Sequence, residues 1–157
     1  MGSEMCIRDS VVGVHEDGDN GFRSGSAYVF TRSGTTWSQQ AKLTANDPAF
    51  FDEFGFSVAI SGNSIVVSAY GDDDGGNSVG SAYVFTRSGT SWTQQARLTA
   101  NDAAEDDNFG VSVAISDDTI VVGAHLDDDG GNSSGSCLLY TSPSPRDLST
   151  SRMPSSA

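Results

Sequence analysis

The chain has 157 residues, with 21 acidic side chains against 8 basic ones and a net charge of −13. A surface of that sign repels nucleic-acid phosphates and anionic lipid, which are held through basic patches, so neither is an expected partner. No apolar run approaches the ~20 residues that cross a bilayer as a helix, and no direct membrane insertion is expected from this segment. Acidity of this degree signals disorder only where aromatic and β-branched residues are scarce. Here Phe, Tyr, Trp and Val/Ile recur at fixed positions, so the chain reads as a folded acidic array.

In chain order, the elements repeat. Gly25-Ser26-Ala27-Tyr28-Val29-Phe30 returns as Gly80-Ser81-Ala82-Tyr83-Val84-Phe85, and residues 25–79 match 80–134 at 40 of 55 positions without a gap. A fixed period of this size marks equivalent supersecondary units. Residues 11–44 carry the second to fourth strands of one unit. A complete unit follows at 54–100, with strands predicted at 54–61, 64–70, 80–87 and 91–100. The first pair is joined by Gly62-Asn63, or by Asp117-Asp118 in the next copy. Such residues tolerate the positive φ of tight hairpins. A third unit starts at 109 and reaches the stump of its third strand at Gly135-Ser136. No stretch has apolar residues at helical spacing. Two successive hairpins make a four-stranded antiparallel meander whose two apolar faces must be covered by neighbours, and radial stacking of such sheets is a β-propeller. The expected fold class is therefore all-β: a β-propeller fragment with a partial blade at 11–44, a full blade at 54–100 and a partial blade at 109–136. Neighbouring blades are its first partners.

The two ends depart from the repeat. Residues 137–147, CLLYTSPSPRD, back-translate to a transposase-type sequencing-library adapter, and 151–157 to the primer that follows it. Residues 1–10, MGSEMCIRDS, back-translate to the same adapter core in reverse complement. Segments 1–10 and 137–157 thus resemble translated adapter, and no strand is expected after Ser136. Both cysteines, Cys6 and Cys137, fall in these flanks, so cysteine count carries no information on redox compartment.

Within the repeat, Phe54-Gly55-Phe56-Ser57-Val58 and Phe109-Gly110-Val111-Ser112-Val113, followed by 65–70 and 120–125, resemble the FG-GAP repeats. These build the seven-bladed propeller of integrin α-subunits and of many bacterial and algal surface proteins. The resemblance implies an extracellular or cell-surface placement. It departs from the pattern in the last tripeptide, which is Gly13-Val14-His15, Ser68-Ala69-Tyr70 and Gly123-Ala124-His125, without proline. Integrin-type blades carry a calcium loop between the first and second strands. The two-residue links here are too short to wrap an ion, so that metal site does not carry over.

Candidate binding residues lie in the loops. Asp72, Asp73 and Asp74, and Asp127, Asp128 and Asp129, form paired clusters beside turn-forming glycines, with a weaker first copy at 17–21. Clustered carboxylates are hard oxygen donors for calcium. Three consecutive Asp do not aim at one centre as alternating ones do, so a solvated loop is the leading reading and weak calcium binding the alternative. No other cofactor is expected. Trp37 and Trp92 follow the turn of the second hairpin. Each is read first as packing on its own hairpin and second as a platform for a sugar ring. Phe54 and Phe109 are read as inter-blade core, and Gly55 and Gly110 as points of close backbone approach. No catalytic residues are assigned: every polar cluster is copied from blade to blade, whereas an active site breaks local symmetry. The expected role is a non-enzymatic module recognising a protein or glycan ligand, with an accessory domain of a larger enzyme or receptor, or a surface-layer spacer, as alternatives.

Overall fold

Period-two alternation of apolar residues separated by two-residue turns folds the chain into antiparallel hairpins. The computed structural model describes residues 8–74 and 76–141 and contains ten strands. They are β1 (Arg8–Val14), β2 (Ser26–Ser33), β3 (Thr36–Leu43), β4 (Val58–Ser61), β5 (Ser64–Ala69), β6 (Ser81–Ser88), β7 (Ser91–Leu98), β8 (Phe109–Ser116), β9 (Thr119–Ala124) and β10 (Ser136–Thr141). They form three meanders, β1-β2-β3, β4-β5-β6-β7 and β8-β9-β10, all paired antiparallel. The fold is all-β, a partial propeller of one complete blade between two incomplete ones.

Three boundaries differ from expectation. The chain continues as a strand past Ser136: β10 pairs with β9 from Ser136↔Ala124 to Thr141↔Thr119. Leu138 and Tyr140 alternate toward the core and pack against the second hydrophobic cluster, so this segment has the period that the open edge of β9 accepts. At the other end β1 takes in Arg8, Asp9 and Ser10, opposite Arg32, Thr31 and Phe30. The sheets thus run across both expected junctions. The inner strand of the complete blade starts at Val58 instead of Phe54. Before it the chain bends at Gly55, whose φ is 96°, and Phe54 forms a parallel bridge to Gly25 of the preceding blade.

The core lies between blades. Ala27, Val29 and Leu43 of the first blade meet Phe54, Ile65, Val67, Tyr83 and Phe85 of the second. On the other side of the same sheet, Val66, Ala82 and Val84 meet Phe109, Val113, Ile120 and Val122 of the third. Alternate residues of β5 and β6 thus serve opposite clusters, which is why β5 is buried at nearly every position. Each fully buried Val, Ile or Phe contributes about 1.5–3 kcal/mol. Phe54 and Phe109 are buried at the two junctions, one in each cluster.

Candidate ligand-binding face

The loops that join β1 to β2, β5 to β6 and β9 to β10 gather with the inter-blade connectors. The first aspartate of each loop turns inward. Asp72 Oδ2 accepts hydrogen bonds from Ser81 Oγ (2.5 Å), Tyr83 OH (3.2 Å) and Arg97 Nη2 (2.6 Å), while Oδ1 accepts from the amide of Asp74 (3.0 Å). Asp17 repeats this with Ser26 (2.5 Å), Tyr28 (3.3 Å) and the Asp19 amide (3.0 Å), and Asp127 with Ser136 and the Asp129 amide (3.0 Å). Each also accepts the amide of the glycine eight residues on through its own carbonyl: Gly25 to Asp17 (2.8 Å), Gly80 to Asp72 (2.9 Å) and Gly135 to Asp127 (2.7 Å). An aspartate that bonds the amide two residues on makes an Asx turn. One such turn in each loop, with the serine bond, lashes it to the blade's third strand. The Ser26 hydroxyl, with help from Lys42, holds the Asp17 carboxyl down at about 2, and Ser136 lowers Asp127.

Of the expected ligand residues, Asp72 and Asp127 are therefore buried in the loop frame, while Asp73, Asp74, Asp128 and Asp129 face solvent. Asp74 pairs with Arg97 Nη1 at 2.9 Å. Asp129 faces Asp102 of the connector, and that contact raises its pKa. The sequence showed the acidic triplets but not this division of labour. The constant nine-residue interval from Asp17, Asp72 and Asp127 to Ser26, Ser81 and Ser136 was the legible sign of it. Trp37 is exposed with Arg32 above its ring, and Trp92 is half-buried against the first core cluster. Trp92 donates Nε1–H to Gln40 of the neighbouring blade (2.8 Å), a residue released by the bulge in β3. The two tryptophans lie on separate blades and do not join the aspartates.

The connectors add a second acidic layer. Asp52 and Asp107 are buried and accept the amides of Ala49 (2.7 Å) and Ala104 (2.8 Å). Burial pushes the Asp52 carboxyl up to about 6, opposed by the Ala49 amide and reinforced by the charges of Asp72, Asp73 and Asp74. A carboxyl raised in the folded state lowers stability once it ionises, from about pH 4 to full effect above about pH 6. Asp52→Asn keeps an acceptor for Ala49 and removes the buried charge. It is expected to stabilise the chain by roughly 1–2 kcal/mol at pH 8 and by much less at pH 4.5. Urea midpoints at the two pH values check this; an equal gain at both would contradict it.

Between these layers, Asp72, Asp74, Val79, Gly80, Arg97, Thr99 and Ala103 line a cleft of about 200 Å³. Arg97 spans it, bonded to Asp72 and Asp74, with its Nε buried and unpartnered. Asp47 of the preceding connector reaches the same network through Tyr83 OH (3.0 Å).

One junction breaks the repeat. Phe22, Phe50 and Phe51 stand where the next copy has Asn77, Glu105 and Asp106, and they converge on the loop face with exposures of 63%, 65% and 53%. Phe22 and Phe51 meet edge to face at 5.3 Å, and Phe50 lies over the bare Cα of Gly21. Phe51 holds φ = 70°, the left-handed region kept by Asp106 at 68° in the next copy. An aromatic residue there costs about 1–2 kcal/mol, less of which falls on Asp. The signal in the sequence was the set of mismatches at these three positions.

The β4–β5 link is Gly62-Asn63, and Asn63 Oδ1 already accepts Arg87 Nε (3.1 Å) and Nη2 (2.9 Å). Among the described residues no three His, Cys, Asp or Glu side chains converge on a metal-sized centre.

One four-stranded and two three-stranded antiparallel sheets, stacked through Phe54 and Phe109 with loops and connectors gathered at one end, define part of a β-propeller module. The FG-GAP repeat profile matches residues 37–85 and 92–140. The chain belongs to the FG-GAP repeat family. No match to it was found among curated proteins.

Proposed function

We propose that this chain is part of a non-enzymatic, secreted or cell-surface propeller module that binds a protein or carbohydrate ligand on its loop face. One observation carries the reading. A frame copied in every blade, Asp17, Asp72 and Asp127 with their serine partners, fixes the loops, while at one junction the exposed side chains depart from the repeat, Phe22, Phe50 and Phe51 standing where the next copy has Asn77, Glu105 and Asp106. Rigid scaffold under variable loops is the usual arrangement for recognition. The family supports an extracellular placement, and no helix among the described residues is long and apolar enough to cross a membrane. The test is surface plasmon resonance of the chain against immobilised glycans and extracellular proteins. Saturable binding that loop-face substitutions abolish is the expected result. Silence across both panels, or turnover of a panel member, would overturn the reading.

A further inference from the structure

We propose that the Phe22–Phe50–Phe51 surface docks a basic peptide segment through an apolar anchor side chain. The proposal rests on the recognition reading above and names its partner class. Three observations converge on the patch. The repeat is otherwise polar at these positions, with Asn77, Glu105 and Asp106 one period on, so propeller architecture does not need the rings. All three are more than half exposed, and Phe51 keeps its ring on a left-handed backbone where the next copy has aspartate. The left-handed turn is held in both copies by an amide bond across the junction, Phe51 to the Phe22 carbonyl (3.0 Å) and Asp106 to that of Asn77 (2.8 Å), so the backbone calls for no ring there, and an exposed aromatic cluster on a polar template is a sign of function.

Charge selects the partner. Arg23, the cation beside the patch, is already held by Glu16 (3.0 Å) and Glu53 (2.8 Å). Lys42 is likewise held by Asp17 (3.1 Å) and Asp19 (2.5 Å). Each of the two cations is thus outnumbered by two carboxylates, of which Glu16 and Asp19 are exposed. The rim is left with surplus negative charge, complementary to lysine or arginine. Ring geometry favours a peptide over a sugar. Phe22 and Phe51 stand at 69° to each other, edge to face, and so do not make the flat platform on which a pyranose lies. Phenylalanine also brings no polar group to meet sugar hydroxyls.

The experiment uses the full chain and three dye-labelled peptides of equal length: alternating Lys–Leu, Lys–Ser and Glu–Leu. Fluorescence anisotropy is read at about 0.15 M salt, where long-range attraction is screened. Lys–Leu is expected to bind at least about tenfold more tightly than either control. Writing the second junction into the first, F22N/F50E/F51D, is expected to erase that difference without lowering the thermal midpoint. F50E alone, at the most exposed of the three positions, carries the same test if the triple variant does not fold. Equal binding of Lys–Leu and Lys–Ser, or unchanged binding by the variants, would overturn the proposal. Binding in the glycan panel with no peptide binding would overturn the peptide class and leave the recognition reading standing.

Discussion

Gly80→Ala is expected to destabilise the chain by roughly 2–5 kcal/mol, as a left-handed alanine and an overpacked contact combine. Gly80 holds φ = 88°, and a Cβ there would lie 2.1 Å from the carbonyl oxygen of Phe109 and 2.7 Å from its nitrogen. Those atoms are backbone and cannot rotate away. They belong to the clamp in which the amides of Asn108 and Phe109 donate to Ser78 and Val79 (3.1 and 3.0 Å). Relief would require the loop to part from the third blade and draw Phe109 out of its cluster. Gly25 repeats the arrangement one period earlier, 2.0 Å from Phe54 O. Gly89 is the control: its φ is 65°, yet nothing lies within 4 Å of a Cβ there, so Gly89→Ala is expected to cost about 1–2 kcal/mol from the backbone alone. Chemical denaturation of both variants separates the terms. Equal losses would mean that the inter-blade clamp adds nothing. Against a typical total of about 5–15 kcal/mol, the larger loss threatens the fold itself.

Asp72→Ala is expected to cost roughly 2–4 kcal/mol, while Asp73→Ala stays within about 0.5 kcal/mol. The neighbours differ only in direction. Asp72 is buried and satisfies Ser81, Tyr83, Arg97 and the Asp74 amide; Asp73 is exposed and makes no side-chain bond among those described. Removing Asp72 strands the buried Ser81 hydroxyl and takes from Arg97 its buried partner, while Tyr83 OH keeps Asp47 and Arg97 keeps Asp74, which hold the loss below that of a fully buried pair. Urea midpoints measure both variants. If Asp73→Ala proved the more costly, the inward frame assigned to the first aspartate would be wrong. The equivalent carboxyls of Asp17 and Asp127 are lowered in the folded state. Their stabilisation is complete above the ordinary carboxylate value and lost as pH falls through the lowered one, about 2 for Asp17. This sign is opposite to that of Asp52.

The contrast between Asp72 and Asp73 shows how far sequence alone reaches. A 55-residue period, strand alternation and hairpin turns were enough for the blades, their order and the inter-blade role of Phe54 and Phe109, because these depend on local periodicity and must recur in every unit. The strand at Ser136–Thr141 was not legible, since a sheet edge accepts an extended segment whose alternation fits even when it differs from the repeat. Nor was the direction of each aspartate. That is set by Ser81, Tyr83 and Arg97, which lie 9 to 25 residues away and meet Asp72 only once β6 and β7 are paired. Sequence comparison between copies shows that Phe22, Phe50 and Phe51 differ from their counterparts. Only tertiary structure brings a loop and a connector together so that the three rings share one exposed surface. The repeat by itself determined the architecture, because a period is a property of the chain. The fold decided which charges are structural and which rings face outward, because burial belongs to segments brought together from far apart.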